Sequence, residues 1–404
     1  MASALPSSFD VAVIGAGPAG MFTALVFARE GFDTALISPR RVVDDARTTA
    51  LLDASVQMLA AIDLWPEIAP HAAPLRIMRL IDDTGRLIRA PETAFDSGEL
   101  GLEAFGYNIA NRDLNAELTK AVEVSGLTWI DASVSAIDPA DDKVTITLDN
   151  GGSVGAKLIA GCDGRKSPSR EAAGIEVRRW SYDQAALVAN FTHEAAHNDT
   201  SSEFHTPTGP FTLVPLPGKR SSLVCVERPD RAEALAALDD DALSAEVERR
   251  AHAILGGMRI DGPRQVFPMS SMVANSFGAN RIALIGEAAH YFPPIGAQGL
   301  NLSLRDAAAL CEISASVKKQ GGDIGGPDAL TRYDRTRRPD VWSRTAGVDM
   351  LNRALMSDFL PVQLVRGFGL YAAGKIGPLR RLLMREGITP RLGTPRLARR
   401  QQNG

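Results

Sequence analysis

The sequence predicts an α/β protein in which a discontinuous parallel-sheet domain carries an inserted antiparallel sheet and ends in a helical C-terminal region. Three observations lead there. A glycine-rich turn, Gly15-Ala16-Gly17-Pro18-Ala19-Gly20, stands between an apolar strand and an alanine-rich helix. A second strand–turn–helix pattern runs over residues 281–306. Between them, over residues 182–267, the pattern changes to short strands joined by hairpin turns. At 404 residues the chain exceeds one typical core, so two lobes or a large two-layer unit are expected.

Residues 9–14 read as a buried strand, 21–30 as a helix stopped by Gly31, and 33–37 as a second strand. That is the order a parallel sheet requires. Asn111 or Arg112 opens a helix through Val124, with Asp113 in the acid-favouring first turn. Strands follow at 128–130, 134–137 and 144–148, and Asn150-Gly151-Gly152 turns the chain into a buried strand at 157–160. In the middle section, 185–192, 211–216 and 221–226 read as strands, the last two joined by Pro217-Gly218-Lys219-Arg220. A covering helix is expected over 239–255, with Asp239, Asp240 and Asp241 at its positive end. Residues 282–285 return the chain to the first sheet, a helix begins near Leu300, and 330 onward is mainly helical. The expected division is 1–180 (with a small strand segment near 75–100 on the side of the inserted sheet), 181–270 as the inserted sheet, 271–345 as the return of the first domain, and 346–404 as C-terminal helices and a basic tail.

Hydrophobic content of 45% with 23% charged residues is ordinary for a globular protein, and a net charge of −4 argues against a nucleic-acid partner. Cys162, Cys225 and Cys311 match no metal spacing and read as reduced thiols; His193 and His197 lack a third ligand, so no metal is expected. Residues 1–8 lack the features of a signal peptide, and no apolar run approaches the ~20 residues of a membrane span. A cytoplasmic protein is expected, at most peripheral to the inner membrane. Over residues 366–400, nine basic residues face one acid, Glu386, with apolar residues such as Leu364, Phe368 and Leu382 between them. That suits a basic amphipathic helix meeting an anionic membrane surface or a biosynthetic complex. The alternative is a C-terminal helix packed on its own protein.

The glycine turn carries the first chemical signal. Gly15 permits the tight turn, Gly17 lets the backbone at Ala16 and beyond approach a pyrophosphate, and Gly20 lets helix and strand pack closely. The helix N-terminus then attracts the negative charge. This motif alone does not choose between FAD and a nicotinamide nucleotide. The usual ribose-binding acid is absent, and Ser38 occupies its position. Followed by Arg40 and Arg41, it also suits the 2′-phosphate of NADP in a dehydrogenase.

The later motif favours FAD. Glu287, at a strand end, suits a ribityl polyol. Gly296 and Gly299 remove side chains where a flat ring must lie, and the following helix points its N-terminus at the N1–C2=O side of a reduced flavin. Pro294, Gln298, Leu300 and Asn301 complete the candidate set from the same turn.

Residues 15–20, Cys162-Asp163-Gly164 and 286–306 together resemble the p-hydroxybenzoate hydroxylase fold of FAD-dependent monooxygenases, a Rossmann-like FAD domain with an inserted substrate sheet. In that family Asp163-Gly164 match a motif linked to FAD and NAD(P)H use. Nearly the whole chain is similar to the ubiquinone-biosynthesis flavin hydroxylases, through Arg47-Thr48-Thr49-Ala50-Leu51, Leu64-Trp65-Pro66-Glu67, Asn111-Arg112, Thr208-Gly209-Pro210 and Leu351-Asn352-Arg353. The resemblance implies that Arg47 and Arg112 contact the FAD phosphates or flavin surroundings. Two positions depart from it: Ser38 stands where the family commonly has a ribose-binding acid, and Glu287 where it commonly has aspartate.

The implied reaction is hydroxylation of an aromatic ring, with NADH or NADPH reducing FAD and O₂ forming a C4a-hydroperoxide. The implied substrate is a polyprenyl-phenol intermediate of ubiquinone biosynthesis. His290 is the nearest candidate base for a phenol, with a structural or flavin-side role as its alternative. Substrate contacts are expected around residues 203–226. Other chemistries on the same fold are prenyl double-bond reduction, halogenation, or none, in a non-catalytic FAD-binding subunit.

Overall fold

The computed structural model describes residues 8–40, 45–85 and 91–356, together with 377, 380, 381, 384, 385 and 395–399. Its first sheet has eight strands. Along its main path lie Gly278–Ala279, Ile282–Leu284, Ser153–Gly161, Ser8–Ile14, Thr34–Ile37 and Thr128–Ile130. From Ile282–Leu284 to Thr128–Ile130 every pairing is parallel. Parallel sheets are covered on both faces, which explains why Val11, Ala12 and Val13 are all fully buried and why the strand reads as a continuous apolar run. The helix Pro18–Arg29 starts three residues before the apolar pattern suggested, because Pro18 suits the first helical turn and Gly17 caps it in an extended conformation. The hairpin of Val134–Pro139 and Val144–Leu148 extends this sheet antiparallel from Ser153–Gly161.

The second sheet has nine strands, in the order His290–Tyr291, Gln265–Ala274, Val177–His193, Arg220–Glu227, Gly209–Leu216, Thr200–Thr206, Ile77–Asp82 and Thr93–Asp96, with Met258–Ile260 beside Val177–His193. Sequence pattern indicated the three central strands, but Val177–His193 is much longer than expected, with a register shift between Ser181 and Ala185. Gln265–Ala274 and Thr200–Thr206 were not anticipated. The helix Asp240–Arg250 ends earlier than expected, because His252 and Ala253 turn left-handed at φ 50° and 51°. It packs Leu243 and Val247 against Leu187, Phe191, Phe211 and Leu223 on one face of this sheet.

A small third sheet, Thr48–Leu52, Gly106–Ala110 and Ala72–Pro74, stands beside the second. The stretch after Ile282–Leu284 links the two large sheets. It leaves the first sheet at Gly286, pairs His290 and Tyr291 with Val273 and Met272 of the second sheet, which is antiparallel except where Thr200–Thr206 pairs parallel with Ile77–Asp82, and enters the helix Gln298–Lys319. The long helix Pro327–Met356 packs against that helix.

Most of the basic segment 366–400, including the expected amphipathic helix, lies outside the described residues. Of those described, Arg380 pairs with Glu99 and covers the Phe95 ring, and Met384 packs on Leu52 and Phe105. Among the described residues no helix is long and apolar enough to cross a membrane.

Candidate active site

Three loops meet at the C-terminal ends of neighbouring parallel strands, where α/β sheets bind their ligands. Gly15 has φ +103°, and a Cβ there would lie 2.4 Å from the Cys162 carbonyl oxygen; one on Gly20 would lie 1.8 Å from the Gly15 carbonyl oxygen. Both glycines are therefore required by the protein's own backbone. Gly17 differs. Its φ is −74°, and a Cβ would meet nothing within 4 Å, so its bare backbone leaves room for something outside the chain. The N-terminus of Pro18–Arg29 opens beside it as an anion-accepting site. Ala16 sits between the two glycines in the same turn.

Cys162 donates its N–H to Ile14 (2.8 Å), which sets the Asp163-Gly164 turn against the glycine turn. Asp163 accepts the Ser169 N–H at 2.8 Å through Oδ2, while its Oδ1 is buried without a hydrogen-bond partner. A buried carboxylate oxygen left unpaired is costly, and a ligand hydroxyl would satisfy it. Arg170 joins this turn to the third loop, donating to the carbonyls of Ala288 (2.8 Å) and Arg165 (2.9 Å).

Ser38 ends its strand with its hydroxyl making a 3.4 Å contact to the Pro39 carbonyl. Arg40 lies over Trp129 (4.3 Å) and pairs with Glu123 at 2.6 Å, so its charge is already engaged; Arg41 lies outside the described residues. Arg47 is held in a fork by Asp45, with both contacts at 2.8 Å, and stands over Phe267. Burial works to raise the Asp45 pKa, but Arg47 and Asn111 together hold it below the ordinary value. Arg112 is well exposed, 3.4 Å from Asp113, and is not among the residues that line the cavity described next.

That cavity, of about 610 Å³, lies between the loop 286–300 and the antiparallel sheet. Arg47, Glu287, Pro294, Gly296, Gln298, Gly299 and Leu300 line it on the loop side. On the sheet side are Ala186 with Val188, Thr212 with Val214, Val224 and Phe267. Alternate residues of one strand share a face, which accounts for the i, i+2 pairs. Phe95, Phe105, Leu75 and Met384 also line it, so the walls are largely apolar. Of these residues, Thr212, Val214 and Val224, with Ser201 and Glu203, fall in or beside the stretch the sequence singled out. Ala186, Val188, Phe267 and the aromatic residues carried no signal, since a cavity-lining valine reads like any core valine.

Three candidates take unexpected places. Glu287 directs its carboxylate at Arg165, at 3.2 and 3.3 Å, and both side chains are 47% exposed. Asn301 has its side chain fully used: Oδ1 accepts from Leu52 N–H (2.9 Å) and the Ser55 hydroxyl (2.6 Å), and Nδ2 donates to the Ala50 and Ala297 carbonyls. Its side chain ties the helix Gln298–Lys319 to the small sheet, and no capacity is left for a cofactor. His290 is the clearest correction. Its side chain is 1% exposed, its Nε2 lies 2.7 Å from Asp306, and it does not line the cavity, so it has no path to a substrate hydroxyl. The helix itself begins at Gln298, directly after Ala297 in left-handed conformation.

A glycine cradle with outside space, an unpaired buried acceptor and an adjoining apolar cavity define a dinucleotide-binding protein with a substrate chamber beside its cofactor. Residues 8–347 match the family described as FAD binding domain. The chain belongs to that family and is an FAD-dependent monooxygenase. It is 36% identical over 401 residues to the ubiquinone hydroxylase UbiL of Rhodospirillum rubrum, covering 96% of this chain and 92% of that protein. The 3-demethoxyubiquinol 3-hydroxylase of Escherichia coli is 29% identical over 92% of this chain and 96% of its own. Among solved structures, p-nitrophenol 4-monooxygenase PnpA from Pseudomonas putida DLL-E4 has the same fold, with a TM-score of 0.78, 21% identity, and coverage of 96% of this chain and 100% of that one.

Proposed function

We propose that the chain hydroxylates an aromatic ring bearing an apolar tail, a polyprenyl-phenol intermediate of ubiquinone biosynthesis, using FAD, O₂ and NADH or NADPH. The observation that carries this reading is the largely apolar cavity of about 610 Å³ directly beside the loop 286–300. It is supported by the names of the relatives from Rhodospirillum rubrum and Escherichia coli.

FAD fits the residues present, because Gly17 leaves open space and Asp163 Oδ1 lacks a partner. When bound and reduced by the nicotinamide nucleotide, it supplies the activation of O₂ that ring hydroxylation needs. The chain's own work is binding, orientation and exclusion of water. The turn 15–20 and the helix N-terminus behind it hold the pyrophosphate, with Ser38 towards the ribose. Asp163, Gly164 and Glu287 face the polyol side, and Arg47 and Arg112 serve phosphate or ring surroundings. Gly296 and Gly299 would leave the main chain bare beside the ring, with Pro294, Gln298, Leu300 and the backbone of Asn301 around it and the helix N-terminus, which favours negative charge, directed at it. Ala186, Val188, Val224 and Phe267 hold the substrate ring and keep water out.

Two results follow. Val224→Trp, which fills the cavity from the sheet side, is expected to retain a normal flavin absorbance spectrum and to lose hydroxylation by about tenfold or more; equal turnover would remove the cavity from the reaction. Glu287→Ala breaks an exposed ion pair, so unfolding free energy should change by less than about 1 kcal/mol. FAD retention through gel filtration should nevertheless fall, and full retention would show that Glu287 serves only Arg165.

A further inference from the structure

Beneath the loop 286–300 lies a buried charged cluster for which ring hydroxylation has no direct use. Asp306, on the helix Gln298–Lys319, is fully buried. Its Oδ2 accepts from His290 Nε2 (2.7 Å) and from the Gly286 N–H (3.2 Å), and its Oδ1 accepts from Arg337 Nε at 2.7 Å. Burial works to raise the Asp306 pKa, but His290 and Arg337 hold it below the ordinary carboxylate value. Arg337, also fully buried, reaches Asp340 at 2.9 Å, and Asp340 in turn pairs with Arg305.

The positions of the partners give the cluster its meaning. Gly286 follows directly on the parallel sheet, whereas His290 belongs to the edge strand of the antiparallel sheet, paired to Val273. One carboxylate therefore ties the helix facing the cofactor to the sheet facing the substrate. The tie reaches the cavity wall as well. The His290 ring stacks on Phe292 with centroids 6.2 Å apart and planes 11° apart, and Phe292 lines the cavity. The Phe277 ring also neighbours the imidazole, tilted by 55° with centroids 6.3 Å apart. His290 Nδ1 is buried without a hydrogen-bond partner, so the contact to Asp306 is the ring's polar anchor.

We propose that His290 and Asp306, braced by Arg337, are positioning residues that fix the substrate sheet against the cofactor-facing helix and so set where the ring lies relative to the flavin. The inference rests on the reading of the cavity given above. The consequence falls on coupling: a displaced ring leaves cofactor reduction intact while reduced cofactor is spent on O₂ without product. Misplacement by about 1 Å costs up to a hundredfold in such geometries.

The test compares His290→Gln, whose amide nitrogen can stand in for Nε2 as donor to Asp306, with His290→Asn, which is too short to do so. Both are prepared as FAD-loaded full chain. Two quantities are read: the change in flavin visible absorbance on titration with a prenylated phenol, and the ratio of hydrogen peroxide to hydroxylated product. His290→Asn should bind FAD as wild type does, lose most of the absorbance change and raise the peroxide ratio by about tenfold. His290→Gln should return both towards wild type. Wild-type values in His290→Asn, or equal losses in the two variants, would overturn the inference. Should His290→Asn fail to fold, Asp306→Glu decides by the same two readouts, since it keeps the charge and shifts the acceptor. Absence of product from the wild type would instead overturn the proposed function, leaving the absorbance change to judge the tie.

Discussion

Gly17→Ala is expected to leave the melting temperature of the FAD-free protein within about 2 °C of wild type and to weaken FAD binding by about tenfold or more, a loss of at least ~1.4 kcal/mol. Gly17 has an ordinary φ of −74°, and its added methyl meets no protein atom within 4 Å. Alanine is a somewhat poorer helix cap than glycine, which sets the small cost to stability. The methyl instead occupies the space through which a pyrophosphate would approach the backbone. Gly20→Ala makes the useful contrast. Its Cβ would stand 1.8 Å from the Gly15 carbonyl oxygen, so that variant should lose stability whether or not FAD is present. Thermal unfolding and fluorescence titration with FAD separate the two effects. Wild-type affinity in Gly17→Ala would remove the cofactor from this turn.

Arg337→Met should destabilise the protein by about 3–5 kcal/mol, because truncating one partner of a buried ion cluster strands the others. The Arg337 side chain is 0% exposed and contacts both Asp306 and Asp340, so methionine would leave two buried carboxylates facing one another's field without it. Urea unfolding measures the difference; a change below about 1 kcal/mol would mean that the cluster is poorly coupled. The same cluster has a pH signature. Asp306 is held below its ordinary value of 3.8, so its charged contacts contribute fully above that value and are lost as pH falls through the lower, folded-state value. Wild type should therefore lose stability on acidification below about pH 4, and Arg337→Met should show a smaller slope there.

Much of the frame was legible from local pattern. The turn 15–20 between strand and helix, the parallel pairing of the two strands that flank that helix and the hairpin at residues 217–220 depend on residues close in sequence, and each formed as read. Glu287 stands out in the sequence as an acid at a strand end, but its partner Arg165 lies 122 positions away, and no spacing rule connects them. Asn301 looked like a cofactor contact because it stands in a glycine-rich turn; its partners Leu52 and Ser55, 249 and 246 positions earlier, come from a short strand of the small sheet and from the helix Asp53–Ala61 that follows it. His290 looked like a base because it follows the motif's acid. Its burial against Asp306 depends on how its edge strand packs on the helix Gln298–Lys319, which sequence does not display. Arg337 was not recognised at all, since an arginine in a polar helix reads as solvated until packing buries it.

The most direct measurement of the central claim is a single reaction: FAD-loaded full chain, NADH or NADPH, isotopically labelled O₂ and a prenylated phenol, followed by mass spectrometry. The predicted result is a product that has gained one labelled oxygen atom, formed by wild type and lost in Val224→Trp. Oxidation of the nicotinamide nucleotide with no oxygen appearing in any prenylated phenol supplied would contradict it.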